Sequence, residues 1–120
     1  MEGKTLVLGA SLKENRYSNI AIRRLRDKNI PVVALGLIEG MVLDVFIEKD
    51  KRSYENIDTV TLYLNPKRQE AYYEYIVELH PRRVIFNPGT ENPEFVKILE
   101  KNGILVEVAC TLVLLSINQY

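Results

Sequence analysis

An α/β fold is the class that the sequence predicts, with a mostly parallel sheet of about five strands lying between two layers of helices. Short apolar runs alternate with segments of helical character along the chain. The apolar runs are continuous rather than alternating, which is typical of strands that are buried on both faces of a parallel sheet. Connections are short and no internal repeat or linker interrupts the pattern, so residues 1–120 are expected to form a single domain.

The composition is that of an ordinary globular protein. Hydrophobic residues make up 47% of the 120 residues and charged residues 27%, which allows a sizeable core and excludes a disordered chain. Sixteen basic and sixteen acidic residues cancel, so no overall charge draws the protein to nucleic acid or to a membrane surface. Met1 leads almost directly into the first strand, no apolar run approaches the ~20 residues of a membrane helix, and the single cysteine suits a reducing compartment. We therefore expect a cytoplasmic protein.

Several runs have the length and the apolar or β-branched composition of strands. In chain order these are Thr5–Leu8, Val32–Leu35, Leu43–Ile47, Ile57–Leu64, Arg83–Phe86 and Ile104–Val108. The run at 43–47 is expected to lie near an edge of the sheet.

Three segments between these strands have helical character, and they cover residues 20–28, 66–79 and 93–102. Ser18 or Asn19 can act as the N-cap of the first. Each of the other two begins with an Asn–Pro pair, in which the asparagine caps the helix and the proline suits its first turn. Residues 110–117 fit a helix or an extended segment equally well. Strands that alternate with helices in this way predict a Rossmann-like three-layer αβα arrangement.

The end of the first strand carries the strongest functional signal. Gly9, Ala10 and Ser11 follow this strand, and a polar loop with Lys13 and Arg16 leads into the first helix. Small residues allow a close approach of the backbone, and a helix N-terminus favours negative charge, so the stretch indicates a phosphate-binding turn. A plain strand-to-helix connection also needs small residues, and this stretch alone does not separate the two interpretations.

Three further strand ends carry small or turn-forming residues. They are Leu35 and Gly36, then Leu64, Asn65 and Pro66, then Asn87, Pro88 and Gly89. In an open parallel sheet the carboxyl ends of the strands lie at one edge, where ligands bind at the reversal of strand order. The coincidence of four such ends with two cations predicts a ligand site at this edge.

Several kinds of nucleotide site are disfavoured by missing residues. The dinucleotide fingerprint G-x-G-x-x-G is absent after the first strand, and Leu35 and Gly36 stand where an acid would bind the ribose. The sequence also lacks the Gly-Lys-Ser/Thr of a P-loop and the acidic strand ends of a phosphoacceptor domain. The sequence therefore disfavours NAD binding and phosphotransfer as functions of the predicted site.

Catalytic and metal-binding groups are scarce. His80, the only histidine, lies between a helix end and Pro81, and we expect it on the side opposite the predicted ligand site. Cys110 has no histidine placed to activate it, so a buried and inert thiol is expected. No Cys/His cluster suggests a metal. The sequence therefore predicts neither a catalytic residue nor a metal ligand.

Several motifs together resemble those of the small, single-domain CoA-binding proteins. They are Val7–Ser11, Arg16–Asn19, Asp58–Pro66, Arg83–Gly89 and the late pair Ala109–Cys110. Such modules are similar to the nucleotide-binding domain of the succinyl-CoA synthetase α subunit and of ADP-forming acyl-CoA synthetases. In those enzymes the catalytic histidine and the nucleotide-grasping region lie on other domains. The resemblance covers residues 4–110 and implies CoA or acyl-CoA binding without ligase activity.

The resemblance also implies roles for the residues at the strand ends. Gly9, Ala10 and Ser11 would contact the CoA phosphates, with Arg16 as a nearby counter-charge. The pair Leu35–Gly36 and the segment Leu64–Asn65–Pro66 would flank the adenosine and pyrophosphate, and Asn87, Pro88 and Gly89 would line the path of the pantetheine arm.

A non-enzymatic CoA or acyl-CoA binding module, acting as a sensor or regulatory partner, is the function that we expect from these observations. The alternatives are a small NAD(P)-linked reductase, a thiol-dependent acyl carrier that uses Cys110, or a protein-interaction domain with a vestigial pocket. The strand at 43–47 would provide a sheet edge for a homodimer, and an unidentified protein partner is the other possibility.

Overall fold

The computed structural model describes residues 3–120. Within that range the elements in chain order are β1 (Lys4–Ala10), α1 (Tyr17–Asp27), β2 (Val32–Gly36), β3 (Gly40–Val42), β4 (Val45–Glu48), β5 (Ile57–Leu62), α2 (Pro66–Gln69), a 3₁₀ turn (Glu70–Tyr72), α3 (Tyr73–Leu79), β6 (Arg83–Phe86), α4 (Pro93–Lys101), β7 (Leu105–Val108) and α5 (Thr111–Ser116). None of the described helices is long and apolar enough to cross a membrane.

The strands form one sheet in the order β3-β4-β2-β1-β5-β6-β7. All neighbouring pairs are parallel except β3 and β4, which are antiparallel. The chain leaves β1 to one side to form β2, and later returns to the other side of β1 to form β5. The reversal of strand order therefore falls at the carboxyl end of β1. The predicted α/β class is confirmed, and the described strands number seven rather than about five.

Helices cover both faces of the sheet, as the continuous apolar runs predict. On one face α1 and α5 contribute Ile22, Leu25 and Leu115 to a core cluster with β1 and β2. On the other face α3 and α4 contribute Ile76, Phe95 and Leu99 to a second cluster. The three successive residues 6, 7 and 8 of β1 are at most 1% exposed, because the two layers bury both sides of this central strand. The three-layer arrangement is confirmed.

A hairpin replaces the single edge strand that was predicted at Leu43–Ile47. The chain forms β3, turns at Leu43 and Asp44, and returns as β4, with Leu43 in a left-handed conformation at φ 52°. Arg26 of α1 donates from Nε and Nη2 to the two carboxylate oxygens of Asp44, both at 2.9 Å. This ion pair holds the turn against the helix. The sequence of residues 43–47 alone does not indicate the turn.

The first helix begins earlier than predicted. Arg16 is the N-cap residue of α1, so Ser18 and Asn19 lie inside its first turn. The Asn19 side chain does not cap the helix, because its Nδ2 donates to the carbonyl oxygen of Ser11 at 2.9 Å. The helix therefore starts next to the turn that follows β1.

The predicted helix over residues 66–79 is interrupted by the 3₁₀ turn between α2 and α3. Lys51 Nζ donates to the carbonyl oxygen of Ala71 at 2.6 Å, so a side chain from a distant loop satisfies a carbonyl at the interruption. The two predicted asparagine caps are confirmed, since Asn65 accepts from the backbone of Arg68 and Asn92 from that of Phe95. The tail forms a helix, α5, over most of the segment for which the sequence left two conformations open.

Candidate functional site

A cavity of about 770 Å³ lies at the carboxyl edge of the sheet, around the end of β1. Its walls come from the segments that follow β1, β2, β5 and β6, which are the four strand ends singled out in the sequence. The lining comprises residues 9–13, 15–18, 35–38, 63–65, 68, 72 and 88–90. The cavity thus coincides with the reversal of strand order, where open α/β sheets bind ligands.

Two glycines bring the backbone segments of this edge into close contact. Gly9 has φ +96°, and a Cβ at this position would lie 3.0 Å from the carbonyl carbon of Tyr63. A Cβ at Gly36 would lie only 2.3 Å from the carbonyl oxygen of Ala10. Gly9 therefore allows the carboxyl end of β1 to pack on the end of β5, and Gly36 allows β2 to pack on β1. Both glycines line the cavity, so each has a structural role in addition to its place in the site.

The N-terminus of α1 opens into the cavity without a side-chain cap. Arg16 makes no capping hydrogen bond, and both Tyr17 and Ser18 line the cavity. The first N–H groups of a helix have no partner within the helix, and the helix dipole favours an anion beside them. The loop before α1 is nevertheless held in place, because Arg23 donates to the Asn19 side chain at 2.8 Å and to the Glu14 carbonyl at 2.9 Å.

The electrostatic character of the cavity is one-sided. Lys13, Arg16 and Arg68 line it, and among the described residues that form its walls none is acidic. Within residues 3–120 the charged groups of these three side chains make no hydrogen bond or ion pair. Most other arginines are held by protein acceptors, namely Arg23, Arg26, Arg52, Arg82 and Arg83. Three cations that make no bond within residues 3–120 therefore lie at one cavity, which suits an anionic ligand.

A buried polar network fixes the part of the cavity between β5 and β6. Gln69 is fully buried, and its Nε2 donates to the carbonyl oxygens of Leu64 at 2.9 Å and Thr90 at 2.8 Å. The Oε1 of Gln69 accepts from Asn92 at 2.9 Å. These bonds tie the end of β5 to the turn after β6. The sequence offered no signal for Gln69, since a glutamine in a helix is usually exposed.

Asn87 and Pro66, two of the predicted binding residues, lie outside the cavity lining. Asn87 is buried, and its Nδ2 donates to the Thr61 hydroxyl at 2.7 Å and the Leu62 carbonyl at 2.8 Å. Its Oδ1 accepts from the backbone N–H of Thr111 at 2.8 Å. Asn87 therefore links β5, β6 and α5, and it positions the neighbouring Pro88 and Gly89, which do line the cavity. The other predicted binding residues all line it.

Tyr63 lines the cavity, but its hydroxyl is buried inside the protein. Burial raises the pKa of Tyr63 to about 12, and the nearby hydroxyls of Thr61 and Thr111 offset this rise only in part. Neither hydroxyl is placed for a regular hydrogen bond with the phenol, which has no such partner in the described chain. The phenol therefore stays protonated at neutral pH.

The one histidine and the one cysteine of the sequence lie away from this cavity. His80 lines a smaller cavity of about 540 Å³ at the opposite edge, together with Asp58 and Arg82. Cys110 is half-buried and does not line the main cavity. Within residues 3–120, no three His, Cys, Asp or Glu side chains are grouped so that they could hold a metal ion.

Several lining residues were not selected from the sequence, and they include Leu37, Ile38, Arg68, Tyr72 and Thr90. Arg68 had a usable signal, because it falls three positions after a capping asparagine and so belongs to the first turn of a helix that begins at the rim. The positions of Tyr72 and Thr90 depend on the interrupted helix and on the Gln69 network, which only the structure reveals.

Comparison with known proteins gives the family. The model of a family described as CoA binding domain matches residues 3–116. The chain belongs to this CoA-binding domain family. Membership supports a CoA-related small molecule as the ligand of the domain.

Solved structures agree with the fold of this CoA-binding domain. A crystal structure of an uncharacterised protein shares 45% sequence identity with a TM-score of 0.95, and the match covers 100% of this chain and 99% of that one. A hypothetical protein from Pyrococcus horikoshii OT3 shares 25% identity with a TM-score of 0.83, covering 93% of this chain and 80% of that one. A protein from Thermus thermophilus at 21% identity, with a TM-score of 0.81 and coverage of 98% and 91%, has the same fold. A search of curated proteins gave no match.

Proposed function

We propose that this domain binds CoA or its acyl thioesters reversibly at the main cavity, and that it serves as a sensor or regulatory module rather than as an enzyme. The observation that carries the proposal is the cavity at the end of β1, which three unpaired cations line and whose described lining residues include no acid. Membership of the CoA-binding domain family makes CoA the anionic ligand of choice. The proposal includes a cytoplasmic location, in keeping with the single free cysteine.

The pyrophosphate is the part of CoA that the turn after β1 suits best. Gly9 keeps the backbone free of a side chain at the end of β1, directly before this turn, and the uncapped N-terminus of α1 offers N–H groups and a favourable dipole. Arg16 stands at the N-cap position with an unpaired guanidinium, so it can bind a phosphate oxygen without first breaking a bond within the protein.

The lining of the cavity supports binding without catalysis. Among the described residues that form its walls, there is no Asp, Glu, His or Cys to act as a general base or nucleophile. Incubation of the protein with acetyl-CoA, with free thiol measured over time, tests this part of the proposal. We expect no release of CoA above the buffer control, and protein-dependent release would contradict the non-enzymatic assignment.

A calorimetric titration of ligand-free protein with CoA, acetyl-CoA, NAD and ATP tests the binding proposal. We expect saturable binding of the CoA species with Kd in the micromolar range and much weaker binding of NAD. Comparable affinity for NAD would favour a small NAD-linked protein. The absence of binding by all four ligands would contradict the proposal and turn attention to protein partners.

A further inference from the structure

Two side chains of α1 hold the loop between β1 and α1, residues 11–16, by a series of hydrogen bonds. Asn19 Nδ2 donates to the carbonyl oxygen of Ser11 at 2.9 Å, and Asn19 Oδ1 accepts from Arg23 Nε at 2.8 Å. Arg23 Nη2 donates to the carbonyl oxygen of Glu14 at 2.9 Å. Two carbonyl groups of the loop are therefore turned toward the same pair of side chains.

The pair formed by Asn19 and Arg23 is suited to keep this geometry. The two residues lie four positions apart on α1, so the helix sets their spacing. Asn19 is 2% exposed, and its bonds are strengthened because they are shielded from water. Neither residue lines the cavity, so each would act on a ligand only through the loop.

The held carbonyl groups determine the direction of two backbone N–H groups. In a trans peptide, the C=O of one residue and the N–H of the next point in opposite directions. The N–H groups of Leu12 and Asn15 therefore point away from Asn19 and Arg23. Both Leu12 and Asn15 line the cavity, whereas Glu14, whose carbonyl group Arg23 holds, does not. Within residues 3–120 neither of the two N–H groups makes a hydrogen bond.

We propose that Asn19 and Arg23 are positioning residues, which turn the N–H groups of Leu12 and Asn15 toward a phosphate of the bound nucleotide. Backbone N–H groups presented together in a turn form an anion-binding concavity. Without the two side chains the peptide groups are free to rotate, and a carbonyl oxygen that faced the anion would repel it. The inference rests on the proposed function, because it requires the phosphates of CoA to lie at this loop.

Calorimetric titrations of the full chain with CoA test the inference. Arg23→Lys keeps the positive charge but lacks the planar fork that reaches two acceptors at once. It should bind CoA about tenfold more weakly than the wild type, as expected for the loss of one charge-assisted hydrogen bond to phosphate. Arg23→Gln should lose at least as much affinity. Arg24→Lys is the matched control, because Arg24 is exposed and lies outside the cavity, and it should bind CoA as the wild type does.

The NMR spectrum of the ¹⁵N-labelled protein shows whether the loss is local to the loop. In the wild type saturated with CoA, the amide protons of Leu12 and Asn15 should move strongly downfield, because each donates to a phosphate oxygen. Saturated Arg23→Lys should lose the shift of Asn15, whose preceding carbonyl group Arg23 holds directly, and should keep the shift of Gly89 on another wall of the cavity. A lower stability of the fold would not remove one amide shift in this selective way.

The outcomes separate the inference from the function on which it rests. Wild-type affinity of Arg23→Lys would overturn the inference while leaving CoA binding intact, because the charge of Arg23 would then matter rather than its hydrogen bonds. Equal losses in Arg23→Lys and Arg24→Lys, or a loss in Arg23→Lys with the shift of Asn15 unchanged, would also overturn it. If the wild type did not bind CoA, both the inference and the proposed function would fail.

Discussion

A methyl group at Gly9 would meet the backbone of the neighbouring strand. A Cβ there would lie 3.0 Å from the carbonyl carbon and 3.1 Å from the carbonyl oxygen of Tyr63, and Gly9 has φ +96°. The left-handed conformation costs a residue with a side chain about 1–2 kcal/mol, and crowding of a packed region costs about 1–3 kcal/mol more. Because the Tyr63 N–H donates to the Leu8 carbonyl at 2.8 Å, the backbone at Tyr63 cannot easily move away. Gly9→Ala should therefore lower the free energy of unfolding by about 2–5 kcal/mol.

Gly89→Ala is the matched control for this substitution. Gly89 has a similar positive φ, +91°, and in the described chain nothing beyond its chain neighbours lies within 4 Å of the Cβ position. It should therefore show only the conformational cost of about 1–2 kcal/mol. Urea unfolding followed by circular dichroism measures both variants. If the two substitutions lowered the free energy of unfolding equally, the packing of the end of β1 on the end of β5 would not be rigid, and the reasoning would be refuted.

Three further substitutions test other parts of the molecule. Arg16→Ala should weaken CoA binding by about 1.5–3 kcal/mol, as measured by calorimetry. The control Arg24→Ala, which removes a charge of α1 outside the cavity, should leave CoA binding unchanged. Equal losses of affinity in the two variants would indicate only general charge attraction. Asn87→Ala should lower the free energy of unfolding in urea by about 2–4 kcal/mol, because buried groups lose their partners, and a negligible loss would contradict its linking role. Hydrogen bonds from Arg82 hold the pKa of Asp58 below its ordinary value. The ionised carboxylate therefore stabilises the fold at neutral pH, and this stabilisation is lost as pH falls through the folded-state pKa of Asp58. Between about pH 6 and pH 3 the wild type should lose more stability than Asp58→Asn, and parallel losses would refute the assignment.

The sequence predicted the parts of the fold that depend on local signals. Continuous apolar runs identified the central parallel strands, because helices cover both faces of the sheet there. The capping residues Asn65 and Asn92 marked helix starts, because a cap and a proline act within one turn. The hairpin at the edge was not predicted, because the turn at Leu43 and Asp44 is fixed by an arginine far away in the chain. The early start of α1 was missed for a similar reason, since Asn19 binds the turn after β1 instead of capping the helix.

The location of the candidate site could be predicted better than its contents. Strand ends of a parallel sheet share one edge, so residues selected by position alone, such as Gly9 and Gly89, line the cavity. The sequence could not show that the Asn87 side chain binds the backbone of Thr111 at the start of α5. That contact depends on the conformation of residues 110–117, which the sequence left open. Nor could the sequence show that Arg68 remains unpaired while most other arginines are held, since this depends on distant acceptors.

An NMR titration of the ¹⁵N-labelled protein with CoA tests the binding site most directly. We expect saturable shifts of the backbone amides of Gly9, Ser11, Tyr17, Ser18 and Gly89, all of which line the cavity. The amide of His80, at the opposite edge of the sheet, should not shift. Saturable shifts confined to the edge around His80, or no shifts at millimolar CoA, would contradict the assignment of the cavity at the end of β1 as a CoA site.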